Sequence, residues 1–327
     1  MKAATTTLAV EMASAGVTVP VNPFFNGPVA GKEFDFFDTY LNQSNWTLNF
    51  TDMKAVWYQM MPACPQPSSN ARSIMADFSP QAMDDTYLGN DLRPSRLEYA
   101  GQILGKINLP STLQYFYGAA KARQLTFMTL LREPLSKMHS AWWYSKSLQK
   151  LHRNGARRDL VASVGHVPDA FSGSGGASFE EDLQLSLNEY EQGRATMLLW
   201  SSLYGRQLQD WMREFEPRQF IVVPYHYYTS IATAETCSII SLRLKFPLPC
   251  NPSALYRRND SNHQVHPPLT QDVSADQMSR AQLVFAEENQ FLAGVLLDGY
   301  RNGAALAALN STPSGASDIL LWLEHGW

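Results

Sequence analysis

The sequence predicts an α/β fold built on a doubly wound parallel sheet flanked by helices. Three observations support this. Two apolar, β-prone runs, LTFMTLL at 125–131 and QFIVVPY at 219–225, have the unbroken pattern of strands buried on both faces. Segments with helical apolar spacing lie between and after them. With 327 residues, 45% of them hydrophobic and 17% charged, the chain can bury a large core. Strands alternating with helices imply right-handed βαβ units.

In chain order, the pattern gives a helix over 96–107, the strand 125–131, and helices over 134–151, 178–192 and 203–215. The strand 219–225 and a long helix over 274–297 follow. Pro134 cannot continue a strand ladder but suits the first turn of a helix, so the first strand should end near Leu131 and the helix begin near Pro134. Three segments break the pattern. Residues 153–177 are rich in Gly and Ser, carry Arg153, Arg157 and Arg158, and read as a long mobile loop. Residues 247–270 are irregular, with five prolines around the basic pair Arg257 and Arg258. The stretch 301–327 is Ala-rich and then Ser/Pro/Gly-containing, and is expected as a peripheral tail on a domain spanning 1–300. There is no internal repeat.

A formal net charge of −4 argues against a nucleic-acid partner, because phosphate-backbone recognition needs a basic excess. Any anion site must therefore be local. No apolar run reaches the ~18 residues of a membrane span, and residues 1–20 lack the layout of a signal peptide, so the chain is expected to be soluble. Three cysteines have no metal-ligand spacing. Either Cys237 and Cys250 pair, leaving Cys64, or all three are reduced. Asn-x-Ser/Thr triplets at Asn42, Asn45, Asn49, Asn259 and Asn310 tilt the reading toward a secretory-pathway protein.

The stretch LREPLSKMHSAWWY at 131–144 carries the most chemistry. It places Arg132 at the carboxyl end of a buried strand, the edge where open α/β sheets bind ligands. The following helix N-terminus offers backbone N–H groups and a positive dipole end, which favour an anion. Ser140, eight residues after Arg132, adds a hydroxyl about two turns into the helix. The plainer reading pairs Arg132 with Glu133 or another acid and has Ser140 bonding its own helix. Trp142, Trp143 and Tyr144 suit either stacking on sugar rings or packing a core.

This segment resembles the 3′-phosphate-binding motif of sulfotransferases that use 3′-phosphoadenosine-5′-phosphosulfate (PAPS), above all the membrane-anchored carbohydrate branch. There a strand ends in Leu-Arg-Asp/Glu/Asn-Pro and a Ser follows eight residues after the Arg. KAATTTL at 2–8 is similar to the family's phosphosulfate loop, Lys-x-Gly-Thr-Thr/Ser-x-Leu, with Ala4 in place of Gly. In such a loop, backbone amides and hydroxyls hold phosphate while Lys balances leaving-group charge. GKEFDFFDTYL at 31–41 resembles the segment whose Glu is the catalytic base, with Glu33 matching it and Asp35 standing where His or Gln is usual. Without the resemblance, Glu33 is a polar residue beside a Phe-rich strand. ADFSPQAM at 76–83 is similar to a turn that in the family carries a Lys, replaced here by Phe78. The segments 203–225 and 281–296 resemble the family's Trp-bearing helix with its following strand and its closing helix. As bare sequence they are amphipathic core elements, and no chemistry is assigned to them.

The resemblance implies a P-loop-like sheet. The strand that should precede the loop would lie before Met1, so the first strand is expected to be truncated. It also implies PAPS as co-substrate without a metal, with Lys2, Thr5, Thr6 and Thr7 on the 5′ phosphosulfate and Arg132 and Ser140 on the 3′ phosphate. Glu33 would be the base and Lys2 would balance the growing negative charge. Arg257 and Arg258 occupy the place of a basic loop that closes over the nucleotide, the alternative being a solvated pair. The acceptor is expected to be a carbohydrate or small molecule, reached in the Golgi lumen by an enzyme whose only membrane contact is an anchor upstream of Met1. Residence in the cytoplasm is the alternative. The rival function is a catalytically degenerate sulfotransferase-like protein that binds nucleotide or glycan, supported by Ala4, Asp35 and Phe78. A Mg²⁺-dependent P-loop phosphotransferase is disfavoured, since no Gly-x-x-x-x-Gly-Lys-Ser/Thr is present.

Overall fold

The computed structural model describes residues 12, 15–17, 109–153, 178–248 and 268–327. The expected helix at 96–107, residues 154–177 of the expected loop and residues 249–267 of the irregular stretch lie outside them, while Arg153, where the loop is expected to begin, is the last residue of a helix.

Helices α1 (Leu109–Tyr117) and α2 (Ala119–Ala122) lead into strand β1 (Phe127–Leu131). Then come α3 (Pro134–Arg153), α4 (Phe179–Glu191), α5 (Met197–Trp200) and α6 (Tyr204–Glu214). Strand β2 (Phe220–Pro224) is followed by a π-helical turn (Tyr227–Ile231) and α7 (Thr233–Leu244). Helices α8 (Leu269–Asp272) and α9 (Ala275–Arg301), strand β3 (Ala305–Leu306) and α10 (Ala316–Gly326) complete the order. The three strands form an open parallel sheet in the order β1-β2-β3, with Phe127 opposite Phe220, Leu131 opposite Pro224 and Ile221 opposite Ala305.

Helices cover both faces of this sheet, which explains the unbroken apolar pattern of β1 and β2. Because side chains alternate along a strand, Leu131, Phe220, Val222 and Leu306 share one face. There they pack with α1, α6, α9 and α10 through residues such as Phe116, Trp211, Leu296 and Trp322. Ile221, Val223, Ala305 and Ala307 face the other way, onto Cys237 and Ile240 of α7 and onto Met12 and Val17. A second, wholly helical core joins α3, α4, α5 and the first half of α9 around Met138, Trp142, Phe179, Leu199 and Phe285.

Met12 is helical, and its helix ends at Gly16, whose φ of 95° is the left-handed conformation glycine adopts without penalty. Val17 N–H donates to the Met12 carbonyl at 2.9 Å, while both side chains are buried in one cluster. This is the glycine-terminated helix end in which the residue after the glycine bonds back into the last turn. Met12 and Val17 therefore pack on the sheet.

Several expectations hold, and one reverses. The 134–151, 178–192 and 203–215 helices form within two residues of their expected ends, and Pro134 is the first residue of α3. Ser178 and Ser274 cap α4 and α9 by accepting from Glu181 and Gln277 N–H. The 301–327 stretch, however, is not peripheral. It supplies β3, and Ile319, Trp322 and Leu323 of α10 are buried against the sheet, with Trp322 Nε1 donating to the Ala307 carbonyl at 2.9 Å. Gly326 approaches β2 so closely that a Cβ there would lie 2.4 Å from Pro224 Cβ. Cys237 is disulfide-bonded, so the fully reduced alternative does not describe this structure; its partner lies outside the described residues. Asn310, Ser311 and Thr312 form the one glycosylation triplet among the described residues, and all three are exposed.

Candidate anion site at the end of the first strand

Arg132 follows the last residue of β1, at the carboxyl edge of the sheet, and is half-buried. Its guanidinium carbon lies 5.6 Å from the centroid of the Tyr225 ring, which directly follows β2. That is within cation–π range. No carboxylate among the described residues pairs with this guanidinium.

Glu133 does not pair with Arg132, contrary to the plainer reading. Its carboxylate turns into the start of α3 and accepts from Leu135 N–H at 3.0 Å and Ser136 N–H at 2.6 Å. Its carbonyl accepts the first intrahelical bond from Lys137 N–H at 2.9 Å. Glu133 thus acts as the N-cap residue, and its charge complements the positive end of the helix. This corrects one expectation: the amides at the start of α3 are already taken by an internal carboxylate. An external anion here would be held by Arg132 and side-chain hydroxyls rather than by those N–H groups.

Ser140 lies in the second turn of α3 and is half-buried. The residue before it takes part in a polar tie. His139, 7% exposed, has Nε2 2.7 Å from Asp272 Oδ2, and Trp143 Nε1 donates to the same oxygen at 2.8 Å. Asp272 is the last residue of α8. The tie therefore bolts α3, next to Ser140, to the helix that follows the segment carrying Arg257 and Arg258. Trp142 is a core residue, buried in the helical cluster with its indole N–H donating to Asp182 Oδ2 at 2.6 Å. Sugar stacking by Trp142 is accordingly ruled out by burial, and Trp143 is held by Asp272. The Tyr144 side chain lies outside the described residues.

One contributor was missed at the level of sequence. Tyr204, the first residue of α6, is 4% exposed, and its hydroxyl accepts from Arg132 N–H at 3.4 Å. Lys137, in the first full turn of α3, places Nζ 4.8 Å from the Tyr204 ring centroid and donates to the Ser201 carbonyl. A Tyr opening an amphipathic helix gives no local sign of such a contact.

Lys2, Thr5, Thr6, Thr7, Glu33, Arg257 and Arg258 lie outside the described residues. Of the expected site, the described part comprises Arg132 and Ser140, both on the β1–α3 connection. The described strands run monotonically β1-β2-β3, so the reversal of strand order at which such sheets bind ligands is not among them. Among the described residues no three His, Cys, Asp or Glu side chains gather as a metal site, and no helix is long and apolar enough to cross a membrane. Comparison with known proteins found no matching family model, no matching curated protein and no matching solved structure.

Proposed function

We propose that the chain is a PAPS-dependent sulfotransferase with a P-loop-like sheet, acting on a hydroxyl or amine of a carbohydrate or small molecule. The observation that carries this reading is Arg132. It stands at the carboxyl end of a buried parallel strand, over the Tyr225 ring, with no carboxylate partner among the described residues, while the neighbouring Glu133 is committed to the helix. A half-buried guanidinium in such a place suits a phosphate, which it can grip with two parallel N–H bonds. The burial of Met12, which is helical, and Val17 against the sheet is compatible with this reading, since a phosphate loop is followed by a helix.

In this mechanism Arg132 and Ser140 hold the 3′ phosphate, and Thr5, Thr6 and Thr7 with their amides hold the 5′ phosphosulfate. Arg257 and Arg258 lie against the nucleotide. Glu33 takes the proton of the acceptor hydroxyl or amine, whose lone pair attacks sulfur in line. The bond between sulfur and the bridging oxygen breaks, and the charge left on the phosphate is balanced by Lys2. The products are the sulfated acceptor and 3′-phosphoadenosine-5′-phosphate (PAP). Localisation in the Golgi lumen belongs to the same reading, and the disulfide at Cys237 supports an oxidising compartment.

The test is calorimetric titration of the chain with PAP, beside Arg132→Ala. Micromolar binding that the substitution weakens roughly thirtyfold or more is expected, that being the effect of about 2 kcal/mol from lost charged hydrogen bonds. Equal binding by both proteins would sink the proposal. PAP binding without transfer from PAPS to any acceptor would instead favour the degenerate binding protein.

A further inference from the structure

Two connections meet at the carboxyl end of β1. One is β1 to α3, carrying Arg132; the other is the turn Ser201–Tyr204 that opens α6. Lys137 joins them, its ammonium donating to the Ser201 carbonyl and lying over the Tyr204 ring at 4.8 Å. The Tyr204 hydroxyl then reaches back 72 residues to the Arg132 amide. That amide lies just past Leu131, the last β1 residue with a register partner on β2, and beyond the ladder a side-chain oxygen accepts from it. Tyr204 is fixed in its turn: it is 4% exposed, and its neighbour Gly205 sits where a Cβ would lie 2.9 Å from Leu292 Cα of α9. The start of α6 is thus packed tightly on α9, and the Tyr204 ring is enclosed.

We propose that Tyr204 is a positioning residue of the anion site, holding the Arg132 backbone so that the guanidinium stays over Tyr225 and open to a phosphate. The inference rests on the sulfotransferase reading. Tyr204 touches no nucleotide itself and acts only through Arg132. The effect should therefore be confined to ligands that carry the 3′ phosphate.

The experiment is Tyr204→Phe, which keeps the ring, its burial and the lysine above it, and removes only the hydroxyl. Binding of PAP and of adenosine 5′-phosphate, which lacks the 3′ phosphate, is measured for wild type and variant. A three- to tenfold loss for PAP is expected, the scale of one hydrogen bond, with adenosine 5′-phosphate unchanged. The ratio of the two affinities separates positioning from general loosening, which would weaken both ligands alike. Equal losses for the two ligands, or no loss for either, overturn the role of Tyr204 while leaving PAP binding and its dependence on Arg132 in place. A wild-type chain that binds no PAP overturns both this inference and the function on which it rests.

Discussion

Arg132 and Arg206 are both partly buried arginines lying over an aromatic ring, Tyr225 at 5.6 Å and Phe291 at 5.5 Å, yet they differ in their counter-ions. Arg206 gives three hydrogen bonds to Glu288, at 3.1, 3.1 and 2.6 Å, and Glu288 also accepts from Tyr190 O–H at 2.6 Å. Burial works against the Arg206 charge, but the Glu288 hydrogen bonds and attraction outweigh it and hold its pKa above the ordinary value. Tyr190 is held protonated by its own burial and then by the adjacent carboxylate. Every charge in that network has its answer within the fold. Arg132 has an aromatic face and a positioned backbone, and no counter-ion among the described residues. The difference separates an arginine that ties helices together from one that, on the proposed function, meets a phosphate.

The sharpest way to break the comparison is to remove Glu288. It is 4% exposed, and Glu288→Ala strands Arg206 and the Tyr190 hydroxyl in a partly dry interface. The expected loss is about 3 kcal/mol of stability, read from denaturant unfolding. PAP binding of the folded fraction should be unchanged. Arg132→Ala should do the reverse, with stability within about 0.5 kcal/mol of wild type and binding lowered by about 2 kcal/mol. If Arg132→Ala also destabilised by several kcal/mol, the guanidinium would be a structural tie like Arg206 and the contrast would fail.

Much of this arrangement was legible because local chemistry fixed it. Pro134 after an apolar run placed the β1–α3 junction, and with it Arg132 and Ser140, without any tertiary information. The helices α4, α6 and α9 announced themselves by apolar spacing. What stayed hidden depends on partners distant in sequence. The strand β3 is two residues long, in an Ala-rich stretch with no strand pattern, and exists because β2 offers Ile221 and Val222 as ladder partners. Helix α10 follows a Ser/Pro/Gly stretch that reads as an end, yet its Trp322 is buried by the sheet. Helix α7, rich in Thr, Ile and Ser, has weak helical periodicity and is fixed by burial of Cys237 and Ile240. At the site, Tyr204 lies 72 residues from the amide it serves. Glu133 did carry a local signal: a carboxylate directly before a Pro at the first helical position is placed to cap the helix.

Asp210, one turn beyond Arg206 on α6, sharpens the comparison further because it is an acid whose partner does not compensate its burial. Its side chain is 13% exposed, while Arg213, 3.3 Å away, is 58% exposed and hydrated. Burial pushes the Asp210 carboxyl up to about 6; Arg213 opposes this and Glu214 adds to it. A folded pKa above the unfolded one means that the folded chain holds the proton more tightly. The stabilising contribution is therefore complete below about pH 4 and is lost as pH rises through about 6. Asp210→Asn should then be more stable than wild type at pH 7.5, by about 1 kcal/mol after allowing for solvent screening, and it should flatten the pH dependence between about 4 and 6. Urea melts of both proteins at pH 5 and pH 7.5 measure this directly. An Asn variant that is less stable than wild type at pH 7.5 would mean that Arg213 does neutralise Asp210, as Glu288 and Arg206 neutralise each other.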